Sequence, residues 1–494
     1  MTDAMTAEGE VAALLARLRT PVTRITSDSR QVRNGDAFAA YPGERTDGRS
    51  FIPDAIARGA RSVLWEQEGA AWKPEWKVAN APVPGLKLRL GAIADVVYGH
   101  PSQFMWIVGV TGTNGKTSCA HWIAQGLHSV ERRAAILGTL GNGLVGFLRP
   151  ALNTTPDAAL LHEMLAQLRS VGTEAVAMEV SSHGIDQGRV NGVLFEVALF
   201  TNLSRDHLDY HGSMAAYGAA KSRLMSWPGL RIAVINADDG FGRSLIDASH
   251  DKGRKIMSYG FGSADVCGSG LRCDARGISF AVRTPWGPGE VTSSLVGEFN
   301  ASNLLAVLSV LLASGVSLEA ALAFLRHVEA PAGRMQRLGG DGDAPLVVID
   351  YAHTPDALEK VLTSLRPAVA EGAKLVCVFG CGGDRDPGKR PQMGAIAGRL
   401  ADWVVITDDN PRSEDPVSIA AAIVDGVRES GNRDFRVLLE RSEAIARAIR
   451  DARDGDVVLL AGKGHETYQE RNGERQPFND AEHAARALAE RSTP

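Results

Sequence analysis

A glycine-rich loop at residues 111–117, with the sequence T-G-T-N-G-K-T, has the residue types of a phosphate-binding loop. Gly112 and Gly115 allow the backbone to turn tightly and to direct its N–H groups at a phosphate. Lys116 would reach the outer phosphates, and the hydroxyl of Thr117 would bind Mg²⁺. The loop therefore predicts that the chain binds a nucleoside triphosphate, and we expect it to be ATP.

One position departs from the strict Walker A pattern, because the chain has Val110 where that pattern has glycine. The alternative is a glycine-rich turn that contains a lysine by chance. However, the apolar run 105–110 predicts a strand before the loop, and residues 117–127 predict a helix after it. A helix N-terminus adds partial positive charge at the same place, which favours the phosphate loop.

Two further polar clusters follow apolar runs. Glu179 opens the sequence E-V-S-S-H-G, where its carboxylate could be a second Mg²⁺ ligand or, alternatively, a capping residue. Residues 201–212, T-N-L-S-R-D-H-L-D-Y-H-G, hold two histidines, two aspartates and an arginine. We expect His207 to contact a metal, and His211 is the weaker candidate. Taken alone, Lys221 in Y-G-A-A-K-S-R would be an exposed helix lysine.

Three loops near the C-terminus are rich in glycine and charge. They are G-C-G-G-D-R-D-P-G-K-R at 380–390, D-N-P-R at 409–412 and G-K-G-H-E at 462–466. Arginine is suited to binding a carboxylate through two parallel hydrogen bonds, and an acid can hold an ammonium group. Each loop could instead be a set of internal ion pairs. Three such loops together favour a zwitterionic ligand that resembles an amino acid.

These clusters follow short apolar runs that alternate with helical stretches. The alternation predicts βα units around buried, mostly parallel sheets, in which ligands bind beyond the carboxyl ends of the strands. The pattern restarts after about Ala330, so we expect two such sheets. The predicted strands are 105–110, 134–137, 175–178, 197–200 and 232–235 in the first sheet, and 346–349, 375–379, 403–406, 437–439 and 457–460 in the second.

Length and composition limit the function classes. A chain of 494 residues is too long for one core and predicts roughly two to four domains. A net charge of -5 gives no support for binding nucleic acid. The five cysteines are scattered, which predicts reduced thiols in the cytoplasm, and a zinc site at Cys377 and Cys381 is disfavoured because no second Cys/His pair lies near them. We expect no secretory signal and no membrane insertion.

The order of the motifs along the chain is distinctive. T-G-T-N-G-K-T, E-V-S-S-H-G, T-N-L-S-R-D-H-L-D-Y-H-G, D-Y-A-H-T-P-D, G-C-G-G-D-R-D and D-N-P-R follow one another over most of its length. This combination closely resembles the Mur ligases of peptidoglycan synthesis. The phosphate loop of that family also lacks the first Walker glycine, so Val110 agrees with the resemblance.

The resemblance implies an α/β protein of three domains. These are a smaller N-terminal α/β domain for the UDP-substrate (1–101), a central P-loop-type parallel-sheet domain for ATP (102–331) and a C-terminal Rossmann-like domain for the amino acid (332–494). In this family, contacts to the UDP-substrate are implied for Ser27, Ser29, Glu44, Arg45, Thr46, Asn153, Thr154, Thr155, Ser181, Gln187 and Arg189.

The resemblance also assigns a nucleotide and metal site. Lys221 matches a lysine that is carbamylated in the family, and the modification is physically reasonable because a bare ammonium beside two Mg²⁺ ions would be repelled. The implied metal ligands are Thr117, Glu179, His207 and Lys221 as its carbamate. The implied ATP contacts are Gly112, Thr113, Asn114, Gly115, Lys116, Thr117, Ser118, Asn300, Asn303, Arg334, Asp350 and His353.

The loop D-N-P-R resembles the version that selects meso-2,6-diaminopimelate over lysine. Diaminopimelate carries a distal carboxylate that lysine lacks, and leaving the charge of Arg412 unpaired would penalise lysine. The implied contacts to diaminopimelate are Arg385, Asp409, Asn410, Pro411, Arg412, Gly462 and Glu466.

The implied reaction is the ATP-dependent formation of an amide on UDP-MurNAc-L-Ala-D-Glu through an acyl phosphate. Its catalytic residues would be Lys116, Lys221, His207 and Glu179. Domain closure would be part of turnover. The protein would be a cytoplasmic monomer that serves cell wall biogenesis, and thereby cell shape and division.

Three rival hypotheses remain open. Folylpolyglutamate synthase shares the ATP-domain design and the acyl-phosphate chemistry, but D-N-P-R and the N-T-T sequence at 153–155 speak against it. A P-loop switch protein would bind nucleotide without ligation and would not need the polar C-terminal loops. A dehydrogenase is disfavoured because no G-x-G-x-x-G follows the first strand of either predicted sheet.

Overall fold

The computed structural model describes residues 2–44, 46–248, 254–340 and 344–491, with side chains described from residue 9 onward. The chain forms two compact units. The first consists of Met1–Tyr259 with Ser309–Val316, and the second of Gly260–Leu308 with Ser317–Pro494. Within the described ranges, no helix is long and apolar enough to cross a membrane.

The first unit begins with a small parallel sheet covered by helices. Its four strands lie in the order β1-β2-β3-β4, and apolar side chains pack on both faces. The strands are β1 (Ile25–Thr26), β2 (Ala37–Ala40), β3 (Ser62–Trp65) and β4 (Ala79–Pro82). The helices are α1 (Thr2–Arg17), α2 (Ile52–Ala57) and α3 (Leu86–Val97), with 3-10 turns at Ser29–Gln31, Gly48–Phe51 and Pro101–Phe104.

A larger, mostly parallel sheet forms the rest of the first unit. Within this unit its strands lie in the order β12-β11-β10-β5-β9-β6-β7-β8, and of these only the short β7 and β8 run antiparallel to their neighbours. The strands are β5 (Trp106–Thr111), β6 (Ala134–Gly138), β7 (Gly141–Leu144), β8 (Phe147–Arg149), β9 (Ala175–Glu179), β10 (Val197–Phe200), β11 (Ile232–Asn236) and β12 (Lys255–Gly260). The helices are α4 (Lys116–His128), α5 (Ala158–Ser170), α6 (Ser182–Asp186), α7 (Leu208–His211), α8 (Met214–Met225) and α9 (Gly240–Asp247).

Strand β5 is central in this sheet because it pairs with β9 on one side and with β10 on the other. All three strands are parallel, so the residues that follow Thr111, Glu179 and Phe200 emerge at one edge. This arrangement gathers the phosphate loop, E-V-S-S-H-G and the 201–212 segment, as the sequence predicts.

The second unit contains a doubly wound sheet with the order β16-β17-β21-β18-β19-β20, in which only β16 is antiparallel. Two apolar clusters lie on its opposite faces. Its strands are β16 (Arg334–Gly339), β17 (Leu346–Asp350), β18 (Leu375–Phe379), β19 (Trp403–Ile406), β20 (Phe435–Val437) and β21 (Val457–Ala461). Its helices are α12 (Pro355–Leu365), α13 (Lys389–Leu400), α14 (Pro416–Glu429), α15 (Arg441–Asp451) and α16 (Asp480–Arg491), with a 3-10 turn at Arg366–Ala368.

Smaller elements complete the second unit, which includes helix α10 (Glu298–Ala313) only as far as Leu308. Strands β13, β14 and β15 form an antiparallel meander, and β22 and β23 form a hairpin. The elements are β13 (Val266–Asp274), β14 (Gly277–Thr284), β15 (Gly287–Ser293), β22 (Tyr468–Arg471), β23 (Glu474–Pro477), α10 (Glu298–Ala313) and α11 (Leu318–Arg326).

The prediction of an α/β protein with mostly parallel sheets is confirmed. Nine of the ten predicted strands agree with the observed bounds to within one residue at each end. The prediction of a strand at 437–439 was wrong, since β20 is Phe435–Val437. The apolar run 437–439 misplaced the prediction because it continues past the end of this edge strand. The backbone carbonyl of Leu439 instead accepts hydrogen bonds from Thr407 and Asp408, which follow β19.

Candidate functional site

The backbone of the phosphate loop is held close to the loop that follows β10. Gly112 has φ +149°, and a Cβ at this position would lie 1.8 Å from Oγ1 of Thr201. The backbone N–H of Thr113 donates to the carbonyl oxygen of Asn202 at 2.8 Å, and that of Asn114 donates to its Oδ1 at 3.0 Å. Glycine is thus required at 112 because a side chain would push the two loops apart.

Two lysine ammonium groups converge on the carbonyl oxygen of Gly112. Nζ of Lys116 donates to it at 2.9 Å and to the carbonyl of Thr113 at 2.8 Å, while Nζ of Lys221 donates to it at 2.7 Å. Lys221 is only 1 % exposed, contrary to the exposed lysine that its local sequence predicts. Burial, with the nearby charge of Lys116, holds its pKa well below the ordinary value. The loop therefore gathers two lysine side chains where a phosphate would bind.

Glu179 ends β9 and lies against the start of α4. Its Oε2 accepts a hydrogen bond from Oγ1 of Thr117 at 2.9 Å, and its Oε1 accepts one from the backbone N–H of Thr139 at 2.7 Å. The side chain of Glu179 is buried, and a hydroxyl beside a carboxylate is a donor set that Mg²⁺ accepts. This pair therefore fits a magnesium ion bound next to phosphates.

His207 lies at the same edge, in a loop whose backbone is left-handed at this residue, with φ +52°. Its ring contacts that of His183 edge-on at 4.8 Å and that of Tyr217 at 5.9 Å. Burial lowers the pKa of His207, and Lys116 and Lys221 add to this effect. A neutral imidazole is the form that can ligate a metal.

In the part of the chain that the structure describes, no three His, Cys, Asp or Glu side chains form a group that could hold a metal. Any Mg²⁺ site here would therefore need ligands of other types in addition to the carboxylate of Glu179. Thr117 supplies a hydroxyl, and a carbamate on Lys221 would supply further oxygen atoms.

A second polar cluster is built around Thr155. Its hydroxyl donates to the carbonyl of Glu179 at 2.9 Å and accepts from the backbone N–H of Ser181 at 3.0 Å. Nη1 of Arg189 donates to the carbonyl of Thr155 at 2.9 Å, and Nε donates to Oε1 of Gln187 at 2.8 Å. Four residues predicted to contact the UDP-substrate thus form one hydrogen-bonded group.

The remaining residues of that predicted set are spread more widely. Gln187 also donates to the carboxylate of Glu44, which brings Glu44 to the same cluster. Oγ of Ser27 donates to Asp157 at 3.3 Å, and the hydroxyls of Thr154 and Thr139 lie 3.0 Å apart. Ser29 is buried in a 3-10 turn, Thr46 accepts a backbone hydrogen bond from Gly43, Asn153 is exposed, and Arg45 lies outside the described residues.

Five residues predicted to contact ATP belong to the second unit. Oδ2 of Asp350, at the end of β17, accepts from the backbone N–H of Met335 at 2.9 Å, and desolvation raises the pKa of this carboxyl to about 6. The guanidinium of Arg334 lies 5.0 Å above the ring of Tyr351. His353 bonds through Nδ1 to the carbonyl of Tyr351 at 2.8 Å. Asn300 and Asn303 are buried on one face of α10 and are joined by a hydrogen bond of 3.1 Å.

The loops after β18, β19 and β21 meet at one edge of the second sheet. Nη1 of Arg412 donates to the carbonyl of Gly383 at 2.7 Å, and the N–H of Gly383 donates to the carbonyl of Asn410 at 2.9 Å. A Cβ on Gly462, which has φ +109°, would lie 2.5 Å from Oδ2 of Asp409. The three loops predicted to bind an amino acid therefore form one contiguous group.

Within this group, Asn410 and Glu466 are in direct contact, since Nδ2 of Asn410 donates to Oε2 of Glu466 at 2.8 Å. Arg412 has φ +52° and is held by its backbone to the hairpin, donating to the carbonyl of Glu470 at 3.0 Å. Pro411 accepts a backbone hydrogen bond from Glu414, and Arg385 is exposed. Burial raises the pKa of Asp409.

Comparison with known proteins decides the family. The profile described as "Mur ligase middle domain" matches residues 110–311, "Mur ligase, glutamate ligase domain" matches 333–464, and "Mur ligase family, catalytic domain" matches 21–98. The chain belongs to the Mur ligase family. This membership confirms the resemblance read from the motifs.

Relatives of this Mur ligase match along its whole length. UDP-N-acetylmuramoyl-L-alanyl-D-glutamate–2,6-diaminopimelate ligase from Chromobacterium violaceum is 51% identical, with 96% of each chain covered. A solved structure of a protein with the same name is 39% identical, covers 96% of each chain and has a TM-score of 0.71. Folylpolyglutamate synthase from Mycobacterium tuberculosis is 20% identical, covers 76% of this chain and 92% of its own, and has a TM-score of 0.61. At that identity it shows a shared fold alone.

Sequence reasoning missed two buried cations of this Mur ligase. Lys463, inside G-K-G-H-E, is fully buried, and so is Arg441 at the start of α15. The guanidinium of Arg441 donates to both carboxylate oxygens of Asp480, at 2.7 and 2.6 Å, and to the carbonyls of Asp408 and Ala461. The signal for Lys463 was its place between two glycines of a polar loop, whereas no local signal links Arg441 to a residue on the last helix.

Proposed function

We propose that this chain joins meso-2,6-diaminopimelate to the D-glutamyl carboxylate of UDP-MurNAc-L-Ala-D-Glu, with ATP converted to ADP. The observation that carries the proposal is the identity of about half of all residues, over nearly the whole chain, with proteins named for that reaction. The loop D-N-P-R, with Arg412 at its end, supports the choice of amino acid.

The proposed division of labour follows the predicted domains, 1–101 for the UDP-substrate, 102–331 for ATP and 332–494 for the amino acid. Each matched profile lies within one of these ranges, at 21–98, 110–311 and 333–464. The hydrogen-bonded group of Thr155, Ser181, Gln187 and Arg189 would bind the UDP-substrate beside the phosphate loop.

In the first half-reaction, an oxygen of the glutamyl carboxylate attacks the γ-phosphorus of ATP, and the bond to ADP breaks. The product is an acyl phosphate, whose carbonyl carbon is a far better electrophile than that of a carboxylate. Lys116 would release its hydrogen bonds to the loop carbonyls and stabilise the charge on the transferring phosphoryl group. Asn300, Asn303, Arg334, Asp350 and His353 would complete the ATP contacts.

Magnesium would neutralise phosphate charge during this transfer. Thr117 and Glu179 would hold one ion through the hydroxyl and carboxylate that already lie 2.9 Å apart. His207 and a carbamate on Lys221 would complete the set for two ions. Lys221 is suited to such a modification because it is buried at the phosphate loop, where an unmodified ammonium would oppose a cation.

In the second half-reaction, the amine of diaminopimelate attacks the acyl carbon, and inorganic phosphate leaves. Arg412 and Asn410 would bind carboxylate oxygens of the amino acid, Glu466 its ammonium group, and Arg385, Asp409, Pro411 and Gly462 would shape the pocket. Lysine has no distal carboxylate, so its binding would leave the charge of Arg412 unpaired. This disfavours lysine as a substrate.

We further propose that the protein acts as a monomer in the cytoplasm, in the synthesis of peptidoglycan precursors for cell wall biogenesis, cell shape and division. The five cysteines are all free thiols, which agrees with a reducing compartment. Its partners would be small-molecule substrates rather than nucleic acid or membrane.

The proposal is tested by measuring ADP release with each substrate omitted in turn. We expect sustained, multiple-turnover release only when ATP, the UDP-dipeptide and diaminopimelate are all present. Equal rates with lysine would contradict the amino-acid assignment, and turnover with a folate in place of the UDP-dipeptide would contradict the whole proposal.

A further inference from the structure

Lys463 is fully buried in the loop that follows β21, although lysine is almost never buried without a partner. Its Nζ donates to Oδ1 of Asn410 at 3.0 Å and to Oε2 of Glu466 at 3.0 Å. Both partners belong to the proposed diaminopimelate pocket, whereas Lys463 itself is hidden from solvent. The burial and the two contacts indicate that Lys463 acts on the ligand through its neighbours.

The first effect of Lys463 is to fix the side-chain amide of Asn410. A lysine ammonium has only donors, so the amide atom that faces it must be the oxygen. That oxygen also accepts from the backbone N–H of Glu470 at 2.9 Å. The amide nitrogen is thereby turned toward Glu466, to which it gives one of its two N–H groups. Among the residues that the structure describes, none accepts the other N–H, which is left for an acceptor such as a ligand carboxylate.

The second effect is on the carboxylate of Glu466. Its Oε2 accepts from both Lys463 and Asn410, while its Oε1 accepts no hydrogen bond from the residues that the structure describes. The positive charge of Lys463 also offsets the acidic character of this loop group, which includes Asp409. One oxygen of Glu466 is thus kept for an ammonium group.

We infer that Lys463 is a positioning residue for the amino-acid substrate, holding Asn410 and Glu466 so that one N–H and one carboxylate oxygen remain for the carboxylate and ammonium of an amino acid. This inference rests on the proposed function. It differs from the role of Arg441, which is equally buried but bonds to backbone carbonyls and Asp480 rather than to pocket side chains.

The test is Lys463→Met, which keeps the length of the side chain and removes its charge and donors. We expect the KM for diaminopimelate to rise by about tenfold or more, because a buried charged hydrogen-bonding partner of two contact residues is lost. The KM for ATP and the yield of acyl phosphate, trapped with hydroxylamine in the absence of diaminopimelate, should change by less than about twofold.

The matched control is Arg471→Gln. Arg471 is a cation of the adjoining hairpin that pairs with Asp408 at 2.6 Å and does not contact Asn410 or Glu466. It should leave the KM for diaminopimelate within about twofold of the wild type. An equal rise in both variants would show a general effect of charge and overturn the inference.

A double-mutant cycle supplies the decisive readout. Because Lys463 is inferred to act through Asn410 and Glu466, Lys463→Met should raise the KM less in the Asn410→Ala background than in the wild type, and fully additive effects would overturn the inference. Loss of the trapped acyl phosphate in Lys463→Met would also overturn it, since the lysine would then serve the fold as a whole. A wild-type chain without diaminopimelate-dependent ADP release would instead reject the proposed function, whereas an active wild type with an unchanged Lys463→Met rejects this inference alone.

Discussion

The phosphate-loop site of the first unit and the loop group of the second unit both hold lysine side chains, but these lysines face different acceptors. Lys116 and Lys221 donate to backbone carbonyls of the loop itself. Lys463 donates to the carboxylate of Glu466, and Arg390 in the same unit pairs with Glu414 at 2.9 Å. A carbonyl dipole compensates a full charge only partly, whereas a carboxylate compensates it fully.

This difference matches the proposed ligands. A triphosphate carries several negative charges, so a loop with residual positive charge gains most from binding it. An amino acid is a zwitterion, and a pocket for it must present both signs in a fixed geometry. Pairing the pocket charges in advance keeps them oriented, so that less order must be imposed when the ligand binds.

The largest effect is expected for Lys116→Met, which removes the charge aimed at the transferring phosphoryl group. Loss of such a charge typically costs about 10³-fold or more in rate. The rate of ADP release with all substrates measures it. Lys360→Met, in an exposed ion pair with Asp356, should retain nearly full activity. Retained activity in Lys116→Met would show that the charge of Lys116 does not stabilise the transferring phosphoryl group.

Lys221→Ala should lose activity by about 10²-fold, because the proposed carbamate could no longer place magnesium. Short carboxylates in the buffer should restore part of the activity by occupying the space left by the side chain. Arg223→Ala on the same helix, where Arg223 is half-exposed, is the matched control. Full activity of Lys221→Ala without added carboxylate would refute carbamylation.

Arg412→Ala should raise the KM for diaminopimelate by about 10- to 100-fold, because one charge-assisted contact to the distal carboxylate is lost. The KM for ATP should remain within about twofold. Discrimination against lysine should fall in parallel, as measured by the ratio of the two kcat/KM values. If that ratio is unchanged, another residue selects the amino acid.

The smallest effect concerns Asp350, whose pKa is raised to about 6 by desolvation. The pKa of this carboxyl is near 4 in the unfolded chain, so between pH 4 and pH 6 the folded chain binds the proton more tightly than the unfolded chain does. The free energy of unfolding therefore falls as the pH rises through 6. We expect the loss to be about 1–2 kcal/mol and to be absent in Asp350→Asn. Denaturant unfolding at pH 5 and pH 7.5 measures it, with Asp356→Asn as the exposed control. An identical pH dependence in Asp350→Asn and the wild type would contradict the assignment.

The sequence predicted the sheets well where strands are buried on both faces. Strands such as β18, Leu375–Phe379, are continuous apolar runs, and their ends locate the ligand loops. The meander of β13 to β15 escaped prediction because its strands mix glycine, polar and apolar residues. Its cross-strand pairing, rather than its composition, makes it a sheet.

The site was predictable in its residue types and not in its bonding. The motif around Lys116 indicated phosphate binding, but nothing local showed that Lys221, on a helix 105 positions further along, would reach the same carbonyl of Gly112. Lys463 could be read only as one more cation in a polar loop. Its burial follows from long-range packing, which a single sequence does not encode in local form.

The last described helix, Asp480–Arg491, carries the only carboxylate that pairs with Arg441 among the described residues. A chain truncated just before Asp480 would keep every strand of the second unit. The guanidinium of Arg441 would, however, lose its carboxylate partner. Removing one partner of a buried pair costs about 3–5 kcal/mol, a large share of a typical domain's stability. The truncated protein would therefore be less abundant in the cell, because proteases degrade destabilised chains.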